Sequence, residues 1–218
     1  MGHLAVIEGL DGSGKATQAS ALAGYFSEQG RETLLISFPN YKEESSALVR
    51  LYLSGALGKP AEVGAYAASG FYAADRYISY ITNWKKNYDA GHTIIADRYV
   101  TSNAAHQMSK LPYEEWDDYL NWMEDYEYTR LGLPRPDVVI YLDMHPETSR
   151  GLLQKRYGSG GVQSDIHERD MQYLLRCRKA ALYACEKLGW RKIACDDGCR
   201  PLPVMHIFEQ VKLLTMDV

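Results

Sequence analysis

No apolar run approaches the roughly 18 residues that a membrane-spanning helix needs. The N-terminus, MGHLAVIEGLDG, has neither a basic leader nor a long apolar stretch, which argues against a secretory signal. Disulfide and zinc frameworks are missing as well. The four cysteines, Cys177, Cys185, Cys195 and Cys199, form no C-x-x-C pair and have no His at finger spacing. They read as free thiols of a reducing compartment, so the expected location is the cytoplasm. Basic charge is not in excess: Lys and Arg total 24 against 28 Asp and Glu, a net charge of −4. That excludes a broad footprint for duplex nucleic acid and leaves room for a local phosphate site. Neither internal repeats nor low-complexity linkers interrupt the chain.

What is present fits one globular core. The chain has 218 residues, 46% hydrophobic and 24% charged, and is expected to form a single domain over 1–218. Its seventeen tyrosines are unusual and suit amphipathic core or surface positions. Short β-rich apolar segments, HLAVIE (3–8), TLLISF (33–38), HTIIADR (92–98) and DVVIYLD (137–143), alternate with helical patterns. WRKIA (190–194) is a weaker fifth strand candidate. Helical patterns cover 15–29 and about 61–90, 100–130, 146–157 and 166–188, with Gly91 and Gly189 at C-cap positions. Near-continuous apolar strands separated by helices predict an open, mostly parallel α/β sheet of about five strands.

The stretch EGLDGSGKATQ (8–18) carries the first chemistry. Gly9, Gly14 and Lys15 follow an apolar strand and open a helix, in the spacing G-x-x-x-x-G-K-[ST] of a phosphate-binding loop. In such a loop, glycines turn backbone N–H groups inward and the helix start adds partial positive charge. Lys15 supplies a full charge. A glycine-rich turn with no ligand has the same composition but needs none of the strand, lysine and helix context. The final position is Ala16, which has no hydroxyl to hold magnesium; Thr17 is the adjacent candidate.

A second constellation begins with Asp97 and Arg98, at the end of the third strand, where open sheets place ligand residues. Tyr72 and Arg76 in FYAADR stand four apart and therefore share a helix face. An aromatic ring beside a guanidinium suits a flat, carbonyl-bearing base. The same spacing also fits an amphipathic helix with Tyr72 in the core and Arg76 in an ion pair.

Together, EGLDGSGKATQ, SFPNY, FYAADR, DRYVTSNAAHQ, RPDVVIYLD and KRYGSGGVQSDIHE resemble the thymidylate kinase family across nearly the whole chain. The resemblance implies a P-loop NTPase-like fold with a mobile lid at about 154–168. It implies direct in-line transfer of the γ-phosphoryl group of MgATP to dTMP, with ATP and Mg2+ required. Family position would put Gly9, Asp11, Gly12, Ser13, Gly14, Lys15, Ala16 and Thr17 around ATP. Asp11 would also lie near the acceptor's 3′-hydroxyl. Phe38, Tyr41, Arg50 and Arg98 would hold the monophosphate. Tyr72 would stack on the base, Arg76 would meet a thymine carbonyl, and Asn103 would read the base edge with Ser102 beside it. Thr17 and Asp97 would serve the metal, and adenine would lie near Ala194–Gly198. Family members commonly form homodimers, and neither nucleic acid nor membrane is implied as a partner.

Three departures from the family pattern stand out. Tyr72 replaces the usual Phe. His106 stands where Tyr or Phe packs near the sugar's 2′ position. Gly12 occupies a position where some members carry Arg, which leaves the lid, with Arg156 and its neighbour Lys155, as the source of a donor-side cation. Lys15, Asp97, Arg98 and Arg156 are the expected catalytic set. Asp165 and Glu168 match a lid-end acidic pair or cap the next helix, and Asp143 fits either a metal-bound water or ordinary strand-end structure. Two other readings stay open on the sequence: a kinase for another pyrimidine monophosphate, and a regulator of the same fold that binds nucleotide with little turnover.

Overall fold

A computed structural model describes residues 1–59, 62–157 and 171–216, with backbone only at 155–157. The expected lid therefore lies largely outside the described residues, as do the side chains of Lys155 and Arg156 and all of Asp165 and Glu168.

Five strands form one parallel sheet: β1 (His3–Gly9), β2 (Thr33–Ser37), β3 (Thr93–Asp97), β4 (Val138–Asp143) and β5 (Arg191–Ala194). Their order is β2-β3-β1-β4-β5, so β1 is central. Register follows from β1, with Ile7 opposite Asp97 on β3 and Ile140 on β4. The pleat sorts alternate residues into two cores. Leu4, Val6, Ile94, Ala96, Val139 and Tyr141 face one layer, and Ala5, Ile7, Ile95, Ile140 and Leu142 face the other.

The second face is covered by α1 (Lys15–Glu28) through Ala19, Leu22 and Phe26 and by α9 (Val204–Leu214) through Ile207, Phe208 and Val211. The first face carries α3 (Ala65–Ser79), α5 (Thr101–His106), α6 (Trp116–Glu124) and α8 (Met171–Leu188). Shorter α2 (Ala47–Leu53) and α4 (Lys85–Asp89) flank α3, and α7 (Pro146–Tyr157) follows β4. Gly91 and Gly189 have φ of 94° and 70°. The following N–H groups, on His92 and Trp190, donate back to the Asn87 and Cys185 carbonyls, which closes both helix ends.

Two expectations need correction. The 61–90 and 100–130 stretches are not continuous α-helices: π-helical turns occupy Tyr80–Trp84 and Asp125–Arg130, and 3-10 turns separate α5 from α6. Pro112 lies between those 3-10 turns, and its missing N–H disfavours helix continuation there. Helix α9 was not expected at all, although Ile207, Phe208 and Val211 have helical spacing behind Pro203.

Candidate active site

A cavity of about 420 Å3 opens at the carboxyl ends of β1, β2 and β3. One wall is the β1–α1 loop. Gly14, at φ 91°, takes the left-handed conformation that lets Lys15 begin α1, and no side chain caps that helix end. The first-turn N–H groups and the positive end of the helix are therefore available to an anion. Asp11, Gly12, Gly14, Lys15, Ala16 and Thr17 all line the cavity. Gly9 and Ser13, expected on ATP, do not. Gly9 packs so closely on β4 that a Cβ would meet the Leu142 carbonyl at 2.8 Å, and Ser13 is buried.

Behind the loop is a charge network. Lys15 Nζ donates to the Leu10 carbonyl at 2.8 Å and lies 3.8 Å from Asp11 Oδ1. Burial and the nearby Arg98 charge push the Lys15 amine down to about 8, against the pull of Asp11, Asp97 and Glu8. Arg98 adopts φ 70°, a conformation that costs a side chain about 1–2 kcal/mol, and its N–H is held by the Ile7 carbonyl at 3.1 Å. The turn carries the guanidinium into the cavity, where Nη2 donates to Asp11 Oδ1 and Nη1 lies 3.1 Å from His106 Nε2. Burial works against the guanidinium's charge, yet Asp11, Glu8 and Asp97 raise its pKa. Burial would likewise raise the Asp11 carboxyl, and the Arg98 and Lys15 charges overcome it, holding Asp11 well below the carboxylate range. Asp97 is pushed up by burial, and its Oδ1 is a buried oxygen with no partner on the cavity wall.

Glu8 was missed as a site residue. It is fully buried at the end of β1; its Oε2 accepts from Thr101 Oγ1 at 2.9 Å and Ser102 Oγ at 2.7 Å, and its Oε1 lies 3.5 Å from Arg98 Nη1. The signal was a carboxylate closing an otherwise apolar central strand. Ser102 lines the cavity, but its hydroxyl is spent on Glu8.

The opposite wall comes from α3 and α5. Tyr72, Arg76, Asn103 and His106 all line the cavity, with Phe38 and Tyr41 from the segment after β2. Arg76 is both wall and ion pair: it is 1% exposed and makes a two-pronged contact with buried Glu127. Arg50, expected in the monophosphate pocket, does not line the cavity. Its Nη1 donates to the Tyr41 and Glu43 carbonyls at 2.9 and 2.8 Å, so it braces the segment that carries Tyr41. His106, expected near the sugar, has Nε2 turned to Arg98. Asp143 is held by Arg178 at 2.7 and 3.0 Å, which makes it strand-end structure. The Ala194–Gly198 loop does not line this cavity. Leu153, Tyr173, Leu174 and Gln107 do, although none was singled out from the sequence.

Among the described residues, no group of three or more His, Cys, Asp or Glu gathers into a metal cage. Magnesium with a nucleotide does not need one, because phosphate and water supply most of its ligands. The unpartnered Asp97 oxygen, in the cavity that Thr17 and Lys15 also line, fits such an ion.

The family model described as thymidylate kinase matches residues 7–195. A thymidylate kinase of Mycobacterium tuberculosis is 35% identical over 195 residues, covering 86% of this chain and 87% of its own. The thymidylate kinase of Homo sapiens is 26% identical over 219 residues, covering 99% and 91%. The structure of thymidylate kinase from Candida albicans superposes with a TM-score of 0.68 at 23% identity, covering 96% of this chain and 89% of that one, and shares the fold. Matched over most of its length by the family model and by a relative of this identity, the chain belongs to the thymidylate kinase family.

Proposed function

We infer that the protein transfers the γ-phosphoryl group of ATP to dTMP, giving dTDP and ADP, as one nucleoside-monophosphate kinase domain in the cytoplasm. The observation that carries this reading is the cavity itself. It joins a loop-and-helix phosphate cradle, ending in Lys15, to a base-sized wall of Tyr72, Arg76 and Asn103. Arg98 lies between them.

Phosphoryl transfer asks the protein for alignment and charge neutralisation, and no side-chain nucleophile. The α1 N-terminus and Lys15 hold the donor phosphates. Arg98, held by Asp11 and His106, receives the acceptor phosphate. Phe38 and Tyr41 close that end, with Arg50 holding the Tyr41 carbonyl. Tyr72 offers its ring to the base, and its hydroxyl lets it do so beside water or a polar partner. Asp97, with Thr17, would hold Mg2+, whose charge would offset that of the phosphates. The donor-side cation is assigned to Arg156 in the lid, with adenine near Ala194–Gly198.

The protein is also proposed to act as a homodimer. Leu48 and Leu51 on α2, with Tyr77, Ile78 and Ile81 along α3 and its π-helical continuation, are exposed apolar side chains beside the acceptor site. Light scattering of the purified chain tests this: a monomer mass at micromolar concentration rejects it.

The activity test is steady-state transfer from MgATP to a panel of monophosphates. dTMP is expected among the best acceptors; a panel in which it is a poor one overturns the assignment. In the same assay Arg156→Ala is expected to lower kcat by about tenfold or more, and unchanged turnover at saturation removes Arg156 from the chemistry.

A further inference from the structure

Glu127 lies in the π-helical turn Asp125–Arg130 and is 1% exposed. Three donors converge on its carboxylate. Oε1 accepts from Arg76 Nη2 at 2.6 Å and from Asn103 Nδ2 at 2.9 Å, and Oε2 accepts from Arg76 Nε at 2.6 Å. An ion pair that served only to neutralise Arg76 would need the two arginine contacts. The third contact ties in Asn103, a polar side chain of the same cavity wall.

That contact has a chemical consequence. An ionised carboxylate only accepts hydrogen bonds, so the amide atom of Asn103 that faces it is the NH2 nitrogen. The amide oxygen is the end left for the cavity. Arg76 spends Nε and one Nη2 proton on Glu127, and Nη1 lies 3.3 Å from the Tyr99 carbonyl. The guanidinium protons that remain are donors. The wall therefore offers an acceptor from Asn103 beside donors from Arg76. A thymine or uracil edge is its complement, with an N3–H donor beside an O4 acceptor. Cytosine presents the reverse, an N3 acceptor beside an amino donor. Without Glu127 the Asn103 amide could turn over and present its NH2 to the cytosine ring nitrogen.

We propose that Glu127 is the positioning residue that sets the polarity of the base-reading wall, so that selection of an imide pyrimidine over cytosine is imposed through it on Asn103 and Arg76. This rests on the reading of Arg76 and Asn103 as the base-facing pair. Glu127 itself touches no substrate. It does not separate thymine from uracil, which share the imide edge.

The test compares kcat and KM for dTMP, dUMP and dCMP at saturating ATP in the wild type, Glu127→Gln, Asn103→Ala, Arg76→Ala and the Glu127→Gln/Asn103→Ala double variant. Glutamine has one acceptor oxygen where three donors converge, so its NH2 must face either Arg76 or Asn103. In Glu127→Gln the ratio of kcat/KM for dTMP over dCMP is expected to fall about tenfold or more, mainly through a higher KM for dTMP. The dTMP to dUMP ratio and the KM for ATP should stay within about twofold, which a general loosening of the fold would not allow. The double variant should discriminate no worse than Asn103→Ala alone, because the two residues act in series. An unchanged dTMP to dCMP ratio in Glu127→Gln, with a lowered ratio in Asn103→Ala, overturns the proposal and leaves the base wall standing. An unchanged ratio in both Asn103→Ala and Arg76→Ala overturns the base wall and the proposal together. If Glu127→Gln does not fold, Glu127→Asp takes its place. It keeps the charge for Arg76 but is one methylene too short to hold both partners, and a wild-type ratio there overturns the proposal equally.

Discussion

Arg98 Nη1 and His106 Nε2 lie 3.1 Å apart, and the guanidinium can only donate, so His106 accepts through Nε2 and carries any ring proton of its neutral form on Nδ1. Arg98 is thus held from two sides, by His106 and by Asp11. His106→Phe removes one of them while keeping a ring in place. The KM for dTMP is expected to rise about three- to tenfold, with the KM for ATP unchanged. Because the loss acts through the acceptor phosphate, dTMP and its ribose counterpart should suffer alike. A change confined to the ribose substrate in steady-state assays would place His106 at the sugar instead.

Lys15 is a buried amine whose pKa has been pushed down to about 8. The protonated form is the one that attracts phosphate. In the free enzyme, kcat/KM for ATP should therefore fall as pH rises through about 8, well below the range of an ordinary lysine. Stability moves the other way. Between about 8 and the unfolded value of 10.5 the unfolded chain keeps a proton that the native chain has released, so this group's contribution to stability rises with pH across that window. Lys15→Met should abolish useful turnover and remove this pH dependence. Below pH 8 it should also raise stability by about 1–2 kcal/mol, with the lost bond to Leu10 offsetting part of the gain. Activity profiles and thermal melts from pH 7 to 10 check both signs.

Glu8 separates charge from hydrogen bonding. Its Oε2 receives two hydroxyls, and a hydroxyl can donate or accept. Glu8→Gln keeps those bonds by reversing them, and removes the negative charge 3.5 Å from Arg98. It should cost less than about 1 kcal/mol in stability but lower kcat/KM for dTMP about tenfold or more. Glu8→Ala leaves the Thr101 and Ser102 hydroxyls and the Gly9 N–H without this acceptor, and should cost about 2–4 kcal/mol. Denaturant titrations beside kinetics distinguish the two; equal stability losses would mean that the charge is what holds the structure.

The sheet was readable because its strands are short, apolar and bounded by helical patterns. All five appear within about two residues of their expected limits, the accuracy that pattern alone allows. The phosphate loop was readable because its spacing is a backbone requirement. Partnerships were less legible. Glu8 and Glu127 are carboxylates on buried faces, and their roles depend on residues far along the chain, from Arg76 to Asn103. Glu127 does leave one trace: it falls on the stripe of Trp116, Leu120 and Met123, where an apolar residue is the usual choice. The position of Arg50 was obscured by the irregular segment between β2 and α2, whose path follows local carbonyl bonds that periodicity does not encode. The helical pattern of α9 was present and simply unread.

Gly12 tests where the donor-side cation has to come from. Its φ is 80°, and a Cβ there would lie 2.8 Å from the Ser149 carbonyl and 3.0 Å from Leu153 Cγ, both on α7. An arginine at this position would therefore need strained backbone and a displaced helix before its guanidinium reached any phosphate. Gly12→Ala should already cost about 1–2 kcal/mol, and Gly12→Arg more. The extra charge of Gly12→Arg should not raise kcat, and kcat/KM for ATP should fall about tenfold because Leu153 is itself part of the cavity wall. Melting curves and ATP-dependent kinetics of the two variants measure this directly. A Gly12→Arg enzyme that folds normally and turns over faster than the wild type would show that α7 yields easily, and that the loop can supply the cation assigned here to the lid.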